Sequence, residues 1–139
     1  MDIRDISKIN KIILHCADTP INKSFDVSTI RDWHKKRGWS DIGYHYYIKL
    51  DGTLQKGRDL WRVGSHTKGE NTNSIGVCLE GGRNADGTPW TICTSQQRES
   101  LKQLLISLGV TFPGLQLHGH YEFSDKTCPN FKIEDLKFW

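Results

Sequence analysis

A chain of 139 residues with 36% hydrophobic and 25% charged positions is long enough for one domain with a real core, and too apolar for intrinsic disorder. Its net charge of +3 comes from scattered basic residues, which argues against a dedicated nucleic-acid surface. Met1 to Lys8 mixes acids with single apolar residues and does not read as a signal peptide, and no run is long enough to span a bilayer, so the expectation is a protein made in the cytoplasm with reduced cysteines.

Lys11 to His15 is short, apolar and β-branched and reads as a buried strand, stopped by Asp18-Thr19-Pro20. Asp26 is placed to cap a helix over Val27 to Arg37, with Val27, Ile30 and Trp33 on or near one stripe and Gly38 as its stop. Gly43 to Leu50 is aromatic and β-branched, and Asp51-Gly52 before Thr53 to Gln55 predicts a hairpin. Asp59 to Asn73, rich in Gly, Ser, Thr, Asn and His, reads as a long loop, a class of segment that is often functional. Ser74 to Glu80 is a second buried strand, and Gly81 to Pro89 reads as an exposed turn region. Thr94 to Gln97 has the pattern of a capping box. It opens a helix with Leu101, Leu104, Leu105 and Leu108 on one face, which Gly109 is expected to end. Leu115 to His120 reads as a short strand and Ile133 to Trp139 as a last helix. Strands alternating with helices predict an α/β fold: one domain over residues 1–139, its core from about residue 11 to residue 131, with a central mixed β-sheet flanked by helices.

The chemistry-bearing residues sit at element ends. His15 closes the first strand, His118-Gly119-His120 closes the last, and Lys126-Thr127-Cys128-Pro129 follows. Two imidazoles and one thiolate make a three-ligand zinc set with a fourth position open, the pattern of a catalytic rather than a structural zinc. Side-chain alternation lets only one of His15 and Cys16 face a given site, and it leaves His118 and His120 as alternatives on one face. The duller reading of a lone strand-end histidine is structural. The four cysteines, at 16, 78, 93 and 128, form no Cys-x-x-Cys pair, which argues against a zinc ribbon or a thioredoxin-like site. Cys78 reads as a buried small hydrophobe and Cys93 as partnerless. His34 and His45 read as packed or hydrogen-bonded. Lys35-Lys36-Arg37 reads as a solvated helix end that complements the dipole, and the tryptophans mostly as core or cleft wall.

Taken in order, Ile13-Leu14-His15-Cys16, Trp33 to Trp39, Gly43-Tyr44-His45, Asp51-Gly52-Thr53, Gly57-Arg58-Asp59, Gly64-Ser65-His66, Asn73 to Cys78 and Lys126-Thr127-Cys128-Pro129 resemble the zinc-dependent N-acetylmuramoyl-L-alanine amidases of the short phage-lysozyme type. These are relatives of the peptidoglycan recognition proteins, and the resemblance runs from about Ile12 to Phe131. It implies one zinc ion per chain held by His15, His120 (rather than His118) and Cys128. It places catalytic roles on Tyr44 and Lys126 and puts His66 in the substrate cleft. The implied reaction is hydrolysis of the amide between N-acetylmuramic acid and L-alanine in peptidoglycan or muropeptides by zinc-activated water, with Lys126 and Tyr44 as donors to the oxyanion. A complete set separates an enzyme from the non-catalytic recognition modules. Glu80 and Glu122 are the carboxylates to check for proton transfer, with a surface or supporting role as the default. The resemblance further implies a monomer that does not insert into membranes, a phage or prophage endolysin acting on the cell wall after release. A host recycling amidase is the second enzymatic option, and the alternatives of other classes are a regulatory protein that binds and inhibits phage RNA polymerase, alone or besides amidase activity, and a non-catalytic peptidoglycan recognition module.

Overall fold

The continuous apolar runs at Lys11–Cys16 and Ser74–Leu79 become the two central strands of the fold, paired in parallel from Lys11↔Ser74 to Cys16↔Leu79. In the computed structural model, which describes residues 2–138, the regular elements are β1 (Lys11–Cys16), β2 (Thr19–Pro20), α1 (Val27–Lys36), β3 (Tyr46–Ile48), β4 (Leu54–Lys56), β5 (Ser74–Leu79), β6 (Gly82–Arg83), α2 (Ser95–Thr111) and β7 (Gln116–Gly119). The main sheet has the order β4-β3-β5-β1-β7, with β4 antiparallel and the rest parallel. Helices cover both faces, so the central strands are buried on both sides and lose the alternation of a half-exposed strand.

Alternation inside β1 and β5 still sorts residues to the two layers. Ile12, Leu14 and Cys16 pack with Ile75, Val77 and Leu79 and with Leu101, Leu104 and Leu108 of α2. Cys78 and Tyr47 meet Ile30 of α1 and Ile42 on the other side. His15 stands beside Cys78 in register and so shares the α1 face.

Several expectations are corrected. Asp26 occupies the cap position of α1 without a capping bond. Its carboxylate pairs with Lys49 Nζ at 2.6 Å, and Gln55 Oε1 accepts the Val27 N–H at 2.7 Å instead. The β3–β4 connection is wider than a two-residue turn: Lys49 N–H donates to Thr53 O at 2.9 Å. Gly109 does not end α2, which runs to Thr111. Phe112 is buried and donates its N–H to Leu108 O at 2.8 Å, and this packing outweighs the cost of about 1 kcal/mol for a helical glycine. The stop Asp18-Thr19-Pro20 and the turn region after Leu79 contain β2 and β6, which pair as a separate two-stranded sheet. Gly82 allows it: its φ is +114°, and a Cβ there would lie 2.7 Å from Cys16 Sγ. The final helix shrinks to a 3-10 turn, Ile133–Leu136, closed by Lys137 at φ 56°, and Trp139 lies outside the described residues. Trp90 is buried, but Trp33 and Trp61 are 37% and 57% exposed. The fold also engages residues before 11: the buried Arg4 guanidinium donates to Leu60 O, Asn71 O and Ser74 O. Among the described residues no helix is long and apolar enough to cross a membrane.

Candidate metal centre and its cleft

Strand ends bring the donors together. β1 delivers His15. β7 stops at Gly119, and His120 opens a 3-10 turn, His120–Glu122, that takes it out of strand alternation. Cys128 arrives on the following loop, where Tyr121 N–H donates to its carbonyl at 2.9 Å and Cys16 N–H to its Sγ at 3.2 Å. One ligand atom from each of His15, His120 and Cys128 then lies within 4.8 Å of the other two. No second group of this kind occurs among the described residues. His118 goes elsewhere: its Nδ1 is 2.9 Å from Glu122, which also accepts the Gly119 N–H at 2.7 Å.

The electrostatics suit ligation. Burial lowers the pKa of His15, keeping the imidazole neutral. Hydrogen bonding with Cys16 holds the Cys128 thiol well below the ordinary thiol range, and the same contact pushes Cys16 up. Neutral imidazoles and a thiolate are the forms that bind a metal without first losing protons.

These residues line a cleft of about 630 Å³, together with Tyr44, His66, Lys126 and Trp39. The Tyr44 ring is 5.1 Å from that of His15, and burial raises its phenol well above the ordinary value, so it stays a hydrogen-bond donor. Lys126 is exposed on the rim, its backbone N–H bound to Ser124 Oγ at 3.2 Å. His66 Nδ1 is 3.0 Å from His15 Nε2, and burial keeps His66 neutral. The cleft lining also holds Arg37 and Arg83. Arg83 pairs with Asp18 at 2.8 Å, and Asn130 Nδ2 donates to Gly82 O at 3.0 Å on the same side.

Neither carboxylate singled out in the sequence lines the cleft. Glu80 is not a surface residue: it is fully buried and accepts from Phe25 N–H, from Leu50 N–H at 2.8 Å and from the Ser24 hydroxyl. His34 and His45 are buried and bonded. His34 Nδ1 accepts the Gly43 N–H at 2.9 Å, which seats the segment that carries Tyr44 into β3. Arg37, read in the sequence as part of a solvated helix end, instead lines the cleft, and Thr67 and Arg83 went unnoticed. The one available signal was the position of Thr67 beside His66 in an unusually long loop.

A fold that gathers His15, His120 and Cys128 in one cleft at its strand ends has the donor set of a hydrolase site. The model of the N-acetylmuramoyl-L-alanine amidase family matches residues 5–131, and the chain belongs to that family. It is 47% identical over 128 residues to the endolysin of Escherichia phage T7, covering 92% of this chain and 83% of that one. The solved N-acetylmuramoyl-L-alanine amidase LysC from Clostridium intestinale is 32% identical with a TM-score of 0.79, covering 99% of this chain and 88% of that one. Drosophila PGRP-LB, at 23% identity, shares the fold, with a TM-score of 0.82 over 99% of this chain and 84% of that one. The chain is thus a peptidoglycan amidase of the endolysin type.

Proposed function

We propose that this protein binds one zinc ion through His15, His120 and Cys128 and uses it to cut the amide between N-acetylmuramic acid and L-alanine of the stem peptide. The convergence of three ligand atoms within 4.8 Å inside the cleft carries this reading. The donors fit the metal: a soft thiolate and two imidazoles are a zinc set, and three protein ligands leave one position open. When bound, zinc acts as a Lewis acid and lowers the pKa of water from about 16 toward about 7.

The remaining work belongs to side chains of the cleft. Lys126 supplies an ammonium and Tyr44 a protonated phenol, and each can donate to the amide oxygen as it gains negative charge. Arg37 lines the cleft beside the Arg83–Asp18 pair and offers a guanidinium to a carboxylate of a stem peptide. The biological setting in this reading is phage-directed lysis, with the protein acting on the cell wall after release.

Digestion of purified sacculi followed by mass spectrometry tests the reading. Free stem peptides beginning with L-alanine are expected, with glycan strands left uncut. Cut glycan strands without free peptides would overturn it.

A further inference from the structure

A chain of hydrogen bonds leads away from His15 into the loop before β5. His15 Nε2 lies 3.2 Å from Thr67 Oγ1 and 3.0 Å from His66 Nδ1, and those two atoms are 3.0 Å apart. His66 Nε2 lies 3.4 Å from Ser74 Oγ, whose hydroxyl donates to Glu70 O at 2.6 Å. The proton positions follow from the far end. A hydroxyl has one proton, and that of Ser74 is committed to a carbonyl, which can only accept. His66 Nε2 is therefore the donor toward Ser74, and its Nδ1 is bare. Thr67 gives its own proton to that Nδ1 and keeps lone pairs on Oγ1. His15 Nε2 then meets the Thr67 Oγ1 lone pairs beside a His66 nitrogen that holds no proton, so no donor is left for it and it carries the proton itself. The bare nitrogen of His15 is Nδ1, and a bare imidazole nitrogen is what a metal requires.

We infer that Thr67 and His66 are positioning residues that hold His15 in its Nε2–H tautomer and fix its ring, so that Nδ1 is presented beside His120 and Cys128. This rests on the zinc reading above. The relay is held on all sides. Asn71 Oδ1 accepts the N–H of both His66 and Thr67 at 3.0 Å, and Thr67 is 2% exposed. The His66 ring occupies space that two glycines leave: a Cβ on Gly76 would fall 2.6 Å from it and one on Gly64 2.7 Å. His66 thus works on the protein side of the cleft, whatever it also offers a substrate.

Zinc affinity measured by chelator competition tests the relay without reference to activity. Thr67→Val keeps the shape and removes the hydroxyl, and His66→Phe keeps a ring and removes both nitrogens. Each should weaken zinc binding roughly 10- to 100-fold, the usual cost of losing a partner behind a metal-binding histidine. Thr67→Ser should restore most of it. Unchanged affinity in Thr67→Val overturns the relay. Retained zinc in Cys128→Ser overturns the metal reading itself, and the relay with it. Long-range proton–nitrogen spectra of the zinc-loaded wild type decide the question even where a variant fails to fold. The expected pattern is Nδ1 of His15 on the metal and a proton on Nε2, and the reverse assignment overturns the proposal.

Discussion

Cys128 hangs from a loop, yet the Cys16 N–H reaches its sulfur at 3.2 Å and its carbonyl is tied to Tyr121. Cys78, by contrast, is fully buried under Tyr47 and Ile30. Metal analysis should therefore find zinc largely lost from Cys128→Ser and retained in Cys78→Ala, because only the first thiol belongs to the cluster. Equal zinc content in the two variants would remove Cys128 from the site. Lys126 and Tyr44 make a different prediction, since neither is a ligand. Interactions made mainly in the transition state change the rate while leaving metal and ground-state binding in place. Lys126→Ala and Tyr44→Phe should each keep zinc and still pellet with sacculi, while amide cleavage falls roughly 100-fold or more. Near wild-type cleavage by Lys126→Ala would end its assignment as an oxyanion donor.

Elements that carry their own signal were legible, and those made by distant partners were not. β1 and β5 announce themselves as continuous apolar runs, and α2 by its leucine spacing and the Thr94–Gln97 box, which the structure forms in both directions at 3.0 and 3.1 Å. The pair β2–β6 had no signal: four residues from segments more than sixty positions apart form it, and Gly82 is there for closeness to Cys16, which no local pattern reports. Gly109 misled for the same reason, because Phe112 decides where α2 ends. The site divides along the same line. Element ends brought forward His15, Cys128 and the pair His118 and His120, and the choice of His120 came only with the family resemblance, but Thr67 matters only because the long loop folds back under His15. Local signals should have local consequences. Thr94→Ala removes one reciprocal cap and should cost about 1 kcal/mol, read as a lowered denaturation midpoint with zinc content and specific activity unchanged. A loss of zinc in that variant would show that α2 and the centre are coupled more tightly than this layering implies.

At the scale of the whole molecule, the buried histidines tie stability to pH. His45 is fully buried: Nδ1 accepts the Gly76 N–H at 3.0 Å, so Nε2 carries the proton and meets Arg62 O at 3.0 Å. A second proton has no place on a nitrogen that already accepts one, and Arg4 stands 3.2 Å away. Burial lowers the His45 pKa from 6.5 to about 4. His34 is lowered to about 4 as well, by burial and then by Arg37 and Arg58. Between these values the unfolded chain binds protons that the folded chain refuses, so stability rises with pH across the window. The penalty is absent above 6.5, grows as pH falls through the window and levels off below 4, with His45 alone accounting for on the order of 3 kcal/mol. Urea denaturation at a series of pH values should show this slope in the wild type. His45→Asn offers an amide oxygen to the Gly76 N–H but cannot take up a proton, so its stability should fall less steeply between pH 6.5 and 4. An identical slope in the two proteins would mean that His45 is not the group that titrates.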